Sequence, residues 1–261
     1  MIDTHSHLDV EDFFDDLPEV ISRSKQEKVE KVFIPAIDIT SCKSVLKVAN
    51  EYNGYAYAML GLHPEEVKDD YLEQLLQIKT LLDNELIKKS PVIAIGEIGL
   101  DFYWSREFEK FQLNAFRKQV EWSVETRLPL IIHCRKAQNE MVHILNDYSK
   151  DLPGGIFHCF TGNENEAEQL LKFNNFYLGI GGVLTFKNSK LPEVLAKNVP
   201  LGRIVLETDS PYMAPVPMRG KRNESSYVKF VTEKLAEVYN VSKDYVDTIT
   251  TSNVFRIVNI M

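Results

Sequence analysis

Six polar residues stand at or near the ends of apolar runs in this chain, and all six are of types that bind divalent metal ions. His5 and His7 alternate along the first run, so an extended backbone points them to the same side. Glu97 follows Ala94-Ile95-Gly96, His133 follows Pro129-Leu-Ile-Ile132 and His158 follows Gly155-Ile-Phe157. Asp209 lies in Val205-Leu-Glu-Thr-Asp-Ser-Pro211. A lone histidine at a strand end is usually half-buried and bonded to backbone. Gathering so many nitrogen and oxygen donors is different, because their desolvation is unfavourable without a charged centre to offset it. Imidazole and carboxylate without thiolate suit Zn, Mn and other borderline divalent ions, and allow Mg. The arrangement accommodates two ions, with Glu97 as a bridge, His5, His7 and Asp209 on one side, and His133 and His158 on the other. Such a pair activates a water and clamps the attacking and leaving oxygens of a hydrolysis. Glu97 and Asp209 are the candidate catalytic carboxylates. Asp209 can be a ligand, the base for that water, or both.

The neighbours fill out a substrate site. Arg135, two after His133, shares its strand face and can grip a phosphate or carboxylate with two N–H bonds, or form a structural salt bridge. His63, in Gly61-Leu-His-Pro64, can hydrogen-bond substrate or brace its loop. Asp101 and Glu207 are placed to orient ligand imidazoles. His143, on the helix expected after the fifth strand, reads as a surface or packing residue. The stretch Met218-Arg-Gly-Lys-Arg-Asn-Glu224 concentrates the positive charge of Arg219, Lys221 and Arg222 in one loop. Its place after the last strand makes it a candidate phosphate-facing loop, although a charge run is usually a solvated face. Phe102, Tyr103 and Trp104 offer either stacking surface for a base or ordinary loop packing.

The elements that must position these groups alternate along the chain. Strands are expected at residues 2–5, 31–37, 55–62, 92–97, 130–134, 155–160, 176–181 and 203–207. Helical periodicity covers residues 71–82, 108–126, 165–173, 227–238 and 243–260. Strands alternating with helices imply right-handed crossovers and a parallel sheet. Eight strands over 261 residues fit a TIM (β/α)8 barrel, an α/β fold read here as a single domain spanning residues 1–261. Each metal-binding candidate then falls at the carboxyl side of its strand, where a barrel places its site.

Composition bounds the rest. The chain is 44% hydrophobic and 26% charged, the balance of a soluble globular protein, and its apolar runs are strand-sized, short of the ~18 residues of a membrane span. No basic and apolar leader precedes the first strand, so a cytoplasmic location is expected. Cys42, Cys134 and Cys159 are widely spaced without a Cys-x-x-Cys pair, which argues against a disulfide framework and a structural zinc site and for reduced, buried thiols. A net charge of −8 means that a polyanion must be drawn by a local basic patch rather than by the whole surface.

Taken together, Asp3-Thr-His-Ser-His-Leu-Asp9, Gly61-Leu-His-Pro64, Gly96-Glu-Ile-Gly-Leu-Asp101, Leu128-Pro-Leu-Ile-Ile-His-Cys-Arg135, His158-Cys-Phe-Thr-Gly162, Glu207-Thr-Asp-Ser-Pro211 and Arg219-Gly-Lys-Arg-Asn-Glu224 resemble the TatD family of metal-dependent deoxyribonucleases. The resemblance runs in order over essentially the whole chain. It implies a TIM barrel, divalent metals (Mg, Mn or Zn), and hydrolysis of phosphodiester bonds in DNA, often from 3′ to 5′. Its metal ligands fall on His5, His7, Glu97, His133, His158 and Asp209. Single-stranded DNA or a 3′ end is the implied partner, with neither a membrane nor an obligate protein partner in view. Some members lack the paired histidines that this chain keeps. The family usually has proline after the Asn-Glu pair, where this chain has Ser225, a change expected to alter loop stiffness. The competing reading is an amide or ester hydrolase of the amidohydrolase type, such as an aminoacyl-tRNA deacylase. Glu97 speaks against its urease-like branch, which often has a carboxylated lysine at that place. A metal-bound scaffold without turnover is a third reading, disfavoured because every ligand is retained.

Overall fold

The computed structural model describes residues 1–258 and 260. Its strands are β1 (Ile2–Asp3), β2 (Lys31–Pro35), β3 (Ala56–Leu60), β4 (Val92–Asp101), β5 (Leu130–Arg135), β6 (Gly155–Phe157), β7 (Phe176–Ile180) and β8 (Ile204–Leu206). Its helices are α1 (Leu17–Gln26), α2 (Ile39–Glu51), α3 (Tyr71–Lys88), α4 (Glu109–Thr126), α5 (Gln138–Asp147), α6 (Glu164–Leu170), α7 (Leu191–Asn198), α8 (Val228–Tyr239) and α9 (Lys243–Ile257). The strands follow one another in chain order in a parallel eight-stranded sheet, the TIM-barrel arrangement. Among the described residues no helix is long and apolar enough to cross a membrane.

The chain packs as two compact units. One comprises Met1–Ile34 and His158–Arg256. Here β1 pairs with β2 and β7 with β8, and Thr4 N–H donates to Leu206 O at 3.0 Å, so β8 also runs beside β1. The other comprises Pro35–Phe157 with Ile257, Val258 and Ile260. Here β3, β4, β5 and β6 pair in succession. Every residue of β4 is buried, which is why its sequence does not alternate apolar with polar residues.

Helix starts follow capping chemistry. Asp38 and Ser41 form a reciprocal capping box at α2, and Asn163 and Glu166 form another at α6. Lys89, Arg127 and Asn240 close α3, α4 and α8 in the left-handed conformation. Several expected boundaries move. Helix α3 runs six residues past the expected end at Leu82, and α1, α2 and α7 have no counterpart among the periodic stretches read from sequence. The expected helix to Ile260 ends at Ile257 and reaches one residue, Asn259, outside the described set. Only Cys42 is buried as expected. Cys134 and Cys159 are half-buried, because each follows a site histidine where its strand opens to the site.

Candidate metal centre

The first donor set belongs to the unit holding both chain ends of the barrel, β1 and β8. Asp3, at the end of β1, is fully buried and organises it. Its Oδ1 accepts the Thr208 N–H at 2.9 Å and the His5 N–H at 3.3 Å, and its Oδ2 accepts the Thr208 hydroxyl at 2.7 Å. Burial pushes the Asp3 carboxyl up to about 7, against the pull of hydrogen bonds from Ser225 and Thr208. A chain of buried hydroxyls continues from Thr208 to Ser210 at 3.2 Å, Ser210 to Ser6 at 2.6 Å and Ser6 to Ser225 at 3.3 Å. Ser225 thus contributes a hydrogen bond at the first residue of a 3₁₀ turn (Ser225–Tyr227). Two backbone bonds complete the frame: Asp209 N–H to His5 O at 2.9 Å and His7 N–H to Ser210 O at 2.8 Å.

On this frame His5 stacks on His158, with ring centres 3.4 Å apart, and Asp209 Oδ1 lies 3.9 Å from His5 Nε2, 3.6 Å from His7 Nε2 and 3.7 Å from His158 Nε2. Burial would raise the Asp209 carboxyl, but the His7 hydrogen bond and the field of the three imidazoles outweigh it and hold it below the usual range. Glu207 accepts His158 Nδ1–H at 3.1 Å and the Cys159 N–H at 2.7 Å. That bond fixes the tautomer and directs His158 Nε2 toward Asp209.

The second donor set belongs to the other unit. Glu97 lies inside β4, not at its end, at a break in register between Ile95 and Ile98, and its N–H is held by Ala36 O at 3.0 Å. A register break of this kind re-aims a side chain, here the carboxylate that interrupts the apolar stretch 92–98. His133 presents Nδ1 to Glu97 Oε1 at 3.1 Å and donates Nε2–H to Asp101 Oδ2 at 2.8 Å. Burial would raise the Asp101 carboxyl; the bonds from His133 and the Tyr103 N–H, and the charge of Arg135, outweigh it and keep it low. Strands β4 and β5 approach so closely here that a Cβ on Gly99 (φ +146°) would lie 1.9 Å from His133 O. His63 Nε2 faces Glu97 Oε1 at 3.5 Å, while its Nδ1 accepts the Glu65 N–H at 3.2 Å. An imidazole accepting at Nδ1 keeps its proton on Nε2, so His63 stands here as a hydrogen-bond donor.

Two glutamines on α4, seven residues apart and therefore on one face, secure the loops beneath this set. Gln112 brackets the backbone of Asp101 with bonds of 2.9 and 3.1 Å, and Gln119 brackets that of Leu62, next to His63, with bonds of 2.7 and 3.2 Å. Sequence reasoning passed over both, along with Asp3 and the buried hydroxyls. Their signal was amide and hydroxyl side chains recurring on otherwise apolar faces.

Each unit therefore offers a three-donor set, His5, His158 and Asp209 in one and His63, Glu97 and His133 in the other, with donor atoms within 4.8 Å of one another. Imidazole nitrogens and carboxylate oxygens at that spacing fit a divalent cation, and the Glu207 and Asp101 bonds supply the outer-sphere orientation such ligands need. In the second set the Nε2 proton leaves His63 a hydrogen-bond donor beside Glu97 and His133.

The other expected site residues divide. Arg135 lies over the Tyr103 ring, 3.6 Å from its centre, and among the described residues no carboxylate pairs with it. Phe102 is buried and sits under Arg106, so only Tyr103 and Trp104 present aromatic surface. In the basic loop, Arg219 and Lys221 are exposed, Arg219 lying over Phe186. Arg222 instead clasps Asp16 with bonds of 2.8 and 2.7 Å and reaches Asp12 O. Next to it Asn223 is buried and donates to Thr208 O and Tyr212 O, at 2.8 and 2.7 Å, on either side of Asp209. Glu224 receives Arg23 at 2.7 Å. The loop's second half thus braces the Asp209 segment rather than facing solvent. His143 is exposed on α5, as a surface residue.

Arg222, before Arg23, holds the Asp16 carboxyl below its usual range. A lowered folded pKa gives stability that is present above the unfolded value and lost as pH falls through the folded one. Asp16→Asn is therefore expected to lower the melting temperature near neutral pH by a small amount, since the pair is a third exposed. The difference from wild type should shrink in acid, as thermal denaturation across a pH series would show.

The family model described as TatD related DNase matches residues 2–259. An uncharacterized metal-dependent hydrolase of Bacillus subtilis, YabD, is 41% identical over 260 residues, covering all of this chain and 99% of its own. The 3′-5′ ssDNA/RNA exonuclease TatD of Edwardsiella piscicida is 28% identical over 259 residues, with 97% of each chain covered. Among solved structures, YjjV, a TatD homolog from Escherichia coli K12, superposes with a TM-score of 0.91 at 29% identity, over 99% of this chain and 98% of that one.

Proposed function

Because this chain belongs to the TatD related DNase family and is a metal-dependent hydrolase, we propose that residues 1–261 work as one hydrolase domain that cleaves phosphodiester bonds at the 3′ end of single-stranded DNA. The observation that carries this reading is the pairing of each donor set with an orienting carboxylate, Glu207 on His158 and Asp101 on His133. His5, His7, His158 and Asp209 would hold one divalent ion, and Glu97 and His133 another. Such ions, when bound, acidify a water and neutralise charge on the phosphate.

The chain's own groups do the rest. Asp209, kept ionised by its histidine neighbours, receives the proton of the attacking water. Water adds to phosphorus, the P–O3′ bond breaks, the terminal nucleotide departs as its 5′-phosphate carrying the water oxygen, and the 3′-oxygen left on the shortened strand takes up the proton that Asp209 received. His63 donates its Nε2–H to a phosphate oxygen, and Arg135 offers N–H groups to another. Arg219 and Lys221 attract the strand electrostatically, whereas Arg222 holds the loop in place through Asp16.

The test uses protein stripped with a chelator and reloaded with Mg, Mn or Zn, acting on oligonucleotides blocked at either end. Reloaded protein should shorten the 5′-blocked strand stepwise and spare the 3′-blocked one, and chelated protein should do neither. Turnover of small amides or esters with both oligonucleotides intact would move the assignment to the amidohydrolase type.

A further inference from the structure

The segment after β4 carries a feature that metal chemistry does not need. Trp104 is 73% exposed, an unusual state for the side chain with most to gain from burial. It stands edge-on to Tyr103, with ring centres 4.7 Å apart at 84°. Arg135 lies over the Tyr103 face and 5.3 Å from the Trp104 ring centre. Trp104 also walls a cleft of about 250 Å³ with Pro64, Val67, Asp101, Ser105 and Phe108. That volume is below the range of ~300–1,000 Å³ that encloses a drug-sized ligand, so it suits one flat ring system. Asp101, on the cleft wall, is the residue that orients His133, which ties the cleft directly to the second donor set.

We infer that Trp104 and this cleft form a stacking subsite for one unpaired nucleobase, with Arg135 fixed on Tyr103 to receive the phosphate attached to it. The inference rests on the nucleic-acid reading above and adds a recognition element to it. Pro64, Val67, Phe108 and Trp104 offer apolar and aromatic wall to the face of a base, and Glu65, Ser105 and Gln112 add polar groups to the lining for its edge. The Arg135 guanidinium, held by the ring beneath it and not paired to a carboxylate among the described residues, keeps its N–H edges for phosphate. A base can enter only when it is out of a duplex, so the subsite selects single strands by geometry. Stacking tolerates all four bases, because each has a π-face.

The experiment measures binding and turnover separately. Metal-loaded wild type, Trp104→Ala and Trp104→Phe are titrated into an oligonucleotide ending in the fluorescent base 2-aminopurine. Turnover is compared between an ordinary oligonucleotide and bis(4-nitrophenyl) phosphate, a diester without a base. Trp104→Ala should weaken binding about tenfold, the scale of one lost stacking contact, and Trp104→Phe should restore most of it. The rise in KM on the oligonucleotide should exceed that on the base-free diester by a similar factor. Equal losses on both substrates, or binding indifferent to Trp104→Ala, would overturn the subsite. Protein that binds the 2-aminopurine strand through Trp104 yet cleaves neither diester would support the subsite and refute the phosphodiesterase assignment.

Discussion

Glu97→Ala should cut phosphodiester hydrolysis by about a thousandfold or more while leaving the chain folded. A divalent ion contributes several kcal/mol of charge stabilisation to such a transition state, and each ~1.4 kcal/mol is a factor of ten in rate. Glu97 is 3% exposed inside β4, and its carboxylate faces both His133 Nδ1 and His63 Nε2. Removing it takes away the anionic member of that donor set. In metal-free protein the same change deletes a buried charge, so the melting temperature should hold or rise. The stabilisation that added metal confers on wild type should shrink, because a ligand that binds only the native state stabilises by mass action. Hydrolysis rate, metal content per chain and melting temperature with and without metal decide the matter together. Full metal content with undiminished rate would remove Glu97 from the centre. His133→Ala should reproduce the loss of rate but strand Asp101, whose partner nitrogen disappears, so its melting temperature should fall instead.

The opposite signs expected for these two substitutions show what a sequence can and cannot disclose. His133 and His158 stood out as members of a set, because one histidine at a strand end is ordinarily bonded to backbone whereas several metal-binding types at successive strand ends call for another reason. Glu97 was misplaced on its strand, since the register break beside it leaves no mark in residue type. The barrel followed from βα alternation, yet α1 was masked by the acidic stretch from Glu11 to Asp16 before it. What stayed hidden was long-range. Asp3 meets Thr208, Arg222 meets Asp16 and Ser225 meets Ser6 across some two hundred residues of chain, and no local pattern encodes such pairs. For the same reason the basic loop looked like one phosphate-binding surface. Its exposed half and its bracing half differ only in what the fold brings to them.

Gly179 is the case where that hidden level bears most directly on the chemistry, and Gly179→Ala is expected to reduce metal affinity and turnover by about ten- to a hundredfold, the range for disturbing a residue that orients a ligand. The added Cβ would lie 2.1 Å from Glu207 Oε2 and 2.7 Å from its Cδ. A flexible carboxylate on a surface would swing away. Glu207 is fully buried, however, with one oxygen on the Cys159 N–H and the other on His158 Nδ1, so it cannot move without releasing both. Once His158 loses that acceptor, its proton is no longer pinned to Nδ1, and the Nε2 tautomer that blocks metal binding becomes populated. Gly202→Ala is the control, because nothing lies within 4 Å of a Cβ there. Glu207→Gln should act by the same route, since an amide N–H facing Nδ1 favours the wrong tautomer. Gly179→Ala and Glu207→Gln should then be strongly non-additive in metal affinity, as changes that break one interaction are. Independent, additive losses, or a melting temperature that collapses in Gly179→Ala alone, would mean that the glycine serves the packing of β7 and not the orientation of His158.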